Sequence, residues 1–235
     1  MTLKAREIAQ MIDHSLLRPE LTRDDIVKGC EIARKYEVAS VCCAPSDVPL
    51  VRQLLSGSPV RIAAVVGFPH GYSTTAAKVF ESQEAIAAGA QELDMVLHIG
   101  RLLSRDFGYV RDDIRAVCEA AHRSGARVKV ILENCYLTDE LKRTACRLCE
   151  EAEADWVKTS TGFAKGGATF EDLALMRAAV SSRVQVKAAG GIRDFEAAVK
   201  VKELGCTRFG ATATVAIMEE AYRRLGPPGS DSTGP

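Results

Sequence analysis

The chain has 235 residues, of which 47% are hydrophobic and 26% charged, and its 31 basic residues balance its 31 acidic residues. This zero net charge gives no electrostatic support for nucleic-acid binding, and no apolar run reaches the roughly 20 residues of a membrane helix. The charged N-terminus "MTLKAREIAQ" lacks the apolar core of a signal peptide, so we expect a cytoplasmic protein.

The eight cysteines do not indicate a disulfide framework, because the chain is large and most of them lie inside apolar strands or helices. We predict reduced, buried thiols. The segment "CRLC", from Cys146 to Cys149, has the spacing of a metal site but has no second cysteine or histidine pair beside it. We therefore expect neither a metal nor another cofactor.

Along the chain, short apolar runs alternate with longer helical segments, a pattern typical of a parallel sheet built from βα units. A leading helix, "LKAREIAQM", comes before the first strand. Strands are predicted at 12–15, 38–43, 61–66, 92–97, 127–133, 155–159, 184–188 and 206–210. Several of them are apolar at nearly every position, as expected for parallel strands covered on both faces.

The intervening segments carry the signals of helix ends. Thr22 opens "TRDDIVKGCEIARKYE" and Thr138 opens "TDELKRTACRLCEEAE", and threonine is a good residue for capping a helix N-terminus. Gly89 closes "TTAAKVFESQEAIAAG" at a position that favours glycine. The segments "TFEDLALMRAAVSS" and "DFEAAVKVKELG" follow the same pattern, so we expect a helix after each strand.

About eight βα units in this length predict an α/β protein with a (β/α)8 TIM barrel and an extra N-terminal helix, whose active site lies at the carboxyl ends of the strands. A doubly wound open sheet is the alternative, but no GxGxxG motif opens the first βα turn. We expect one domain over residues 1–225. The tail, residues 226–235, is rich in proline, glycine and serine and is predicted to be disordered.

Three charged residues stand at the ends of otherwise apolar strands: Asp94 in "QELDMVLHIG", Lys158 in "DWVKTSTGF" and Lys187 in "VQVKAAGGI". A single lysine at a strand end is usually solvated. Three such residues, two of them followed by glycine loops, instead indicate a site. Residues of one parity share a face of a strand. The pairs with shared parity are Lys129 with Glu133, Trp156 with Lys158, and Gln185 with Lys187.

Two close lysines suit Schiff-base catalysis. A free lysine has a pKa of about 10.4, so only about one in a thousand is a nucleophilic amine at neutral pH. Burial and a neighbouring ammonium together can lower that pKa by about 3 units. One lysine would then attack a carbonyl, the other would keep it neutral, and an aspartate would move protons directly or through water.

The glycine loops indicate a different task. The segments "TSTGFAKGGAT", "AAGGIRD" and "RFGATATV" end the last three strands, and glycine lets backbone N–H groups approach an anion closely. The helix that begins within "ATATVAIMEE" can point its N-terminus at a phosphate. A site after the seventh and eighth strands is the usual phosphate position in this fold.

These segments resemble deoxyribose-phosphate aldolase, a family of class I aldolases on a (β/α)8 barrel. The resemblance runs from "IDHSLL" to "RFGATATVAI" and includes "VCCAP", "VVGFPHG", "GAQELDMVLHIG", "KVILEN", "VKTSTGF" and "VKAAGGIR" in the family's order. It implies reversible cleavage of 2-deoxy-D-ribose 5-phosphate to D-glyceraldehyde 3-phosphate and acetaldehyde without a metal. It also implies a homodimer.

Residue by residue, the resemblance implies that Lys158 forms the Schiff base, Lys187 perturbs its pKa and Asp94 relays protons. It also implies a set of substrate and phosphate contacts at Thr159, Gly162, Gly190, Gly191, Gly210 and Thr212. The chain departs from the family at Ala44 and His98, where asparagine is common, and at Ala211-Thr212-Ala213, where the family often has serines.

Two other functions stay open on the residues alone: another phosphate-binding barrel enzyme, and a metabolite-binding barrel without catalysis. The second should have lost Lys158 or Asp94, and both are present. His14 either orients substrate or makes a structural hydrogen bond, and Cys42 either approaches the site or is a buried apolar thiol.

Overall fold

A computed structural model describes residues 3–226, in which eight parallel strands close into a barrel in the order β1 to β8. The strands are β1 Ile12–Leu16, β2 Ser40–Cys43, β3 Arg61–Val66, β4 Glu92–Val96, β5 Arg127–Ile131, β6 Trp156–Lys158, β7 Gln185–Ala189 and β8 Arg208–Ala211. The helices are α1 Ala5–Ala9, α2 Arg23–Tyr36, α3 Val48–Leu54, α4 Thr75–Ala88, α5 Ile99–Leu103, α6 Phe107–His122, α7 Asp139–Glu151, α8 Phe170–Ala179, α9 Phe195–Glu203 and α10 Thr214–Leu225.

The predicted fold class is confirmed, because all eight predicted strands are present and β8 pairs with β1. The extra N-terminal helix is α1. The open, doubly wound sheet is excluded by this closure. Predicted strand boundaries differ from the structure by up to two residues, as at the starts of β2 and β8. At the end of β5, the run predicted as 127–133 leaves the sheet after Ile131, and Glu133 takes a left-handed conformation with φ 57°.

The helix ends follow the sequence signals. The Thr22 hydroxyl accepts a hydrogen bond from the Asp25 N–H at the start of α2, and the Thr138 hydroxyl accepts one from the Leu141 N–H at the start of α7. Gly89 ends α4 with φ 125°, a conformation that L-residues avoid. Capping therefore fixes where the helices begin and end around the barrel.

The outward faces of the strands and the inward faces of the helices form the apolar core. Val128, Val130 and Val186 are fully buried in this layer. Inside the barrel, by contrast, the described residues form a small apolar cluster of Cys42, Ala63 and Val65. Much of the remaining interior is occupied by charged side chains, whereas barrel interiors are usually filled by branched apolar residues.

None of the helices between residues 3 and 226 has the length and apolar character that a bilayer crossing requires. The predicted tail at 226–235 falls, from residue 227 onward, outside the described residues. The division into a domain at 1–225 and a disordered tail stays a prediction.

Candidate active site

Seven charged side chains meet inside the barrel and form one connected network: Asp13, Glu92, Asp94, Lys129, Lys158, Lys187 and Arg208. Strand register brings them together. Lys158 pairs with Lys187 across β6 and β7, and Asp94 pairs with Lys129 across β4 and β5. The three residues predicted to converge, Asp94, Lys158 and Lys187, are thus in direct contact.

Asp94 is at the centre of this network. Its Oδ2 lies 2.7 Å from Nζ of Lys158 and 2.7 Å from Nζ of Lys187, and its Oδ1 lies 2.9 Å from Nζ of Lys129. Burial opposes ionisation of Asp94, but the charges of the three lysines outweigh it and hold the pKa of its carboxyl well below the usual range. Asp94 is therefore a carboxylate at neutral pH.

The three lysines differ in the number of carboxylates that they contact. Lys187 also lies 2.5 Å from Asp13, and Lys129 also lies 2.6 Å from Glu92, whereas the one carboxylate paired with Lys158 is Asp94. Burial lowers the pKa of every buried lysine. For Lys187 and Lys129 the carboxylates outweigh burial and raise the pKa. For Lys158, burial and the charge of Lys187 outweigh Asp94, and the pKa is lowered.

The charge balance of the network agrees with these pKa shifts of the three lysines. The network contains three carboxylates and four basic groups, and all seven are at least nine-tenths buried. An unpaired charge in a buried site is costly, so the network is balanced when one basic group is neutral. Lys158 is the group for which neutrality costs least, because it shares its carboxylate with Lys187. Of the lysines in the network, Lys158 is therefore the one whose neutral form is most favoured.

Trp156 closes the lower end of the network and lies on the same face of β6 as Lys158, as their shared parity predicts. Three cations lie over its ring: Arg127 at 4.7 Å, Arg208 at 5.4 Å and Lys129 at 5.5 Å from the centroid. Parity also placed Lys129 correctly. The parity prediction was wrong for Glu133, which lies beyond the end of β5. Gln185 is half-buried at the base of the barrel, where its side-chain amide donates to the Ser182 carbonyl.

The upper end of Lys158 opens into a cavity of about 390 Å³ at the carboxyl ends of the strands. The predicted residues Gly162, Gly190, Gly191, Gly210 and Thr212 all line it. Gly190 is required by a close approach, because a Cβ there would meet Cα of Gly167 at 2.9 Å, and its φ is +80°. The three glycine loops are therefore gathered around the end of the Lys158 side chain.

Thr159 does not line this cavity. It is fully buried, and its hydroxyl donates to the Ala189 carbonyl at 3.1 Å and accepts from the Ala189 N–H at 3.0 Å. Both hydrogen-bonding functions of the hydroxyl are used in tying β6 to β7. A substrate contact at Thr159 stays a prediction, whereas Thr161, two residues later, lines the cavity.

Sequence reasoning missed other residues of the site. Arg18 and Arg193 line the cavity, so the loops do not work with backbone donors alone. Asp13 was missed inside β1, although a carboxylate within the predicted strand was a signal of the same kind as Asp94. Arg208 and Glu92 were missed because they lie at the beginnings of β8 and β4, where charged residues are usually solvated.

Position decides the alternatives for His14 and shows the surroundings of Cys42. His14 lies between β1 and α10 rather than in the barrel, and its Nδ1 is 2.8 Å from Oγ1 of Thr214. Its role is a structural hydrogen bond, and burial lowers its pKa to about 4. Cys42 is buried in the small apolar cluster inside the barrel, and burial raises the pKa of its thiol to about 11.

The closed barrel, with its cavity at the carboxyl ends of the strands, defines a (β/α)8-barrel enzyme. A family profile described as DeoC/LacD family aldolase matches residues 7–215. The chain therefore belongs to the DeoC/LacD family of aldolases, which are carbon–carbon lyases.

Individual relatives agree. The chain is 46% identical over 227 residues to a deoxyribose-phosphate aldolase of Rhodopirellula baltica, covering 97% of this chain and 94% of that protein. It is 50% identical over 214 residues to one of Clostridium perfringens, covering 91% and 95%. A solved deoxyribose phosphate aldolase from Aeropyrum pernix, described as tetrameric, is similar with a TM-score of 0.86 and 30% identity, covering 92% of each chain.

Proposed function

We infer that this aldolase reversibly cleaves 2-deoxy-D-ribose 5-phosphate to D-glyceraldehyde 3-phosphate and acetaldehyde through a Schiff base on Lys158. The observation that carries this inference is the position of Lys158. It is the one lysine of the buried network that also lines the cavity, and it has a lowered pKa. The relatives named above carry the same enzyme name and match over nearly the whole chain.

In the proposed first step, the neutral amine of Lys158 attacks the C1 aldehyde of the open-chain sugar. Loss of water from the resulting carbinolamine gives a protonated imine. The imine withdraws electrons, so that the C2–C3 bond can break as the C3 hydroxyl gives up its proton. The aldehyde D-glyceraldehyde 3-phosphate leaves, and an enamine of two carbons stays on Lys158.

The enamine must then be protonated at C2, and hydrolysis of the new imine releases acetaldehyde. Lys187 can donate this proton, because Asp13 and Asp94 keep its amine charged. Asp94 contacts both lysines through one oxygen, so we propose that it relays protons between Lys187 and the reacting carbon, directly or through water. Its low pKa means that it holds a transferred proton only briefly.

We propose that the phosphate binds at the far end of the cavity, where Gly162, Gly190, Gly191, Gly210 and Thr212 meet. Ala213, at the N-cap of α10, has no side-chain group that could satisfy the N–H groups of the first turn. Those N–H groups and the helix dipole favour an anion. Arg18 and Arg193 add positive charge at the same wall.

The test is reductive trapping. Borohydride added with acetaldehyde should attach a reduced two-carbon adduct to the peptide that contains Lys158, and Lys158→Leu should give none. Release of D-glyceraldehyde 3-phosphate from the sugar phosphate, measured with a coupled dehydrogenase, should disappear in the same variant. An adduct on Lys187 instead would overturn the assignment of the nucleophile.

We also propose a cytoplasmic location and a homodimer, as expected from the sequence. Several large apolar side chains are exposed on the monomer, among them Tyr72 at 69% and Phe80 at 63%. Such surface is often covered by a second copy. Light scattering after size exclusion gives the mass directly, and a monomer at working concentrations would contradict the dimer.

A further inference from the structure

Glu133 has an unusual backbone conformation for a buried residue. Four residues other than glycine have positive φ among residues 3–226: Glu37, Arg105, Glu133 and Glu153. Glu37, Arg105 and Glu153 follow helices and are exposed. Glu133 follows β5 at the carboxyl end of the barrel and is 2% exposed. Strained backbone of this kind persists only where the surroundings enforce it, and it is concentrated at functional sites.

The carboxylate of Glu133 has one partner residue, Thr161. The Thr161 N–H donates to its two oxygens at 3.2 and 3.3 Å, and the Thr161 hydroxyl donates to Oε2. The Thr161 hydroxyl in turn accepts from the N–H of Phe163 at 3.0 Å. A glycine would take the left-handed conformation more easily, so it is the carboxylate that explains a glutamate here.

The segment held in this way forms one side of the proposed substrate cavity. Thr161, Gly162 and Phe163 all line it, and they begin three residues after Lys158. Thr159, two residues before this segment, is already tied to Ala189 on β7. Glu133 supplies the corresponding tie on the β5 side, so the loop is held from both neighbouring strands.

We propose that Glu133 is a positioning residue, which fixes the loop 161–163 through Thr161 so that the sugar phosphate is aligned with the Lys158 imine. This inference rests on the proposed function. Glu133 does not line the cavity that contains Lys158, so it acts through the loop and not on the reacting atoms. Losing it should disturb the alignment of the long substrate but not the chemistry of the lysine.

The experiment compares two reactions of the same enzyme. Acetaldehyde needs Lys158 but no phosphate loop, so borohydride trapping should be unchanged in Glu133→Gly. Cleavage of 2-deoxy-D-ribose 5-phosphate needs the aligned loop, so its kcat/KM should fall by about 100-fold, as misplacement of about 1 Å can cause. Glu133→Gln keeps an oxygen acceptor for the Thr161 N–H and should lose less.

The matched control is Glu153→Gly. It relieves the same left-handed strain, φ 63°, at an exposed position away from the cavity, and should keep wild-type activity. Thr161→Val removes the hydroxyl from the same contact and should reproduce the loss. The double variant Glu133→Gly/Thr161→Val should be no worse than the more damaged single variant, because both break one contact.

Wild-type kcat/KM in Glu133→Gly overturns the proposal. So does a loss of acetaldehyde trapping in step with cleavage, in both Glu133→Gly and Thr161→Val, since that would mean damage to the lysine site or the fold. Additive losses in the double variant also overturn it. A wild-type protein that neither traps acetaldehyde nor cleaves the sugar phosphate would overturn the proposed function, and this inference with it.

Discussion

Lys158 and Lys187 donate to the same oxygen: each Nζ lies 2.7 Å from Oδ2 of Asp94. Because they share one acceptor, the two ammonium groups lie close together, and the negative charge of Asp94 is divided between Lys158 and Lys187. Lys187 also contacts the carboxylate of Asp13, whereas no second carboxylate among residues 3–226 contacts Lys158. The two lysines are register partners on adjacent strands, yet their pKa values are shifted in opposite directions.

Replacing Lys187 by leucine should raise the pKa of Lys158 for two reasons. The neighbouring positive charge is lost, and Asp94 is left to Lys158. Burial continues to lower that pKa, so the rise should be partial. The rate at neutral pH should fall by orders of magnitude and recover in part as the pH approaches 9. The pH dependence of kcat/KM measures this shift. Lys158→Leu should recover at no pH, and an unshifted profile for Lys187→Leu would contradict the electrostatic role.

Asp94→Asn should separate imine formation from turnover. Without the carboxylate, the pKa of Lys158 should fall further, because the one group that favours its charged form is gone. Acetaldehyde trapping should therefore persist, and extend to lower pH, while cleavage should fall by about 10²–10⁴-fold for lack of a proton relay. The buried lysines lose a partner, so unfolding free energy should drop by roughly 3–5 kcal/mol. Equal losses of trapping and cleavage would exclude the relay.

Gly191→Glu should abolish the preference for phosphorylated substrate. The change adds a side chain and a negative charge to the proposed phosphate loop, at a φ of +92°. The ratio of kcat/KM for 2-deoxyribose 5-phosphate to that for 2-deoxyribose is the measurement. Gly57→Glu is the control, since Gly57 has a similar φ of +72° in open space. A ratio unchanged in Gly191→Glu would remove this loop from the phosphate site.

The burial of His14 should make stability depend on pH. Burial lowers the pKa of His14 to about 4 from an ordinary 6.5, so the unfolded chain takes up a proton before the folded one does. The contribution of His14 to stability should therefore fall as the pH drops from about 6.5 towards 4, by about 3 kcal/mol, and level off below that. Urea unfolding at several pH values should show this slope, and His14→Gln should lose it.

Most of the fold could be predicted because apolar runs mark the strands and capping residues mark the helix ends. The end of β5 could not be predicted, because "KVILEN" contains no glycine or proline to mark the end of the strand. Glu133 turns left-handed there because of a contact with Thr161, a residue 28 positions later. A tertiary contact of this kind leaves no local signal in the chain.

The site was predictable where polarity conflicts with an apolar strand. Asp94, Lys158 and Lys187 stand out for this reason, and the structure brings them together. Arg208 and Glu92 do not stand out, because a charge at the beginning of a strand is ordinary. They belong to the network only because the barrel closes and brings β8 and β4 within 2.9 Å at these side chains.

Trp156 is the single tryptophan of the chain, and it lies against three cations, of which Lys129 and Arg208 belong to the buried network. Indole emission responds to nearby charge, so the protein carries its own optical probe at the base of the catalytic chamber. Any event that changes the balance of charge above it, such as imine formation or removal of one lysine, is coupled to this ring through Lys129 and Asp94. If the proposed imine forms on Lys158, its formation should change the emission of Trp156, and stopped-flow fluorescence can follow it without a label.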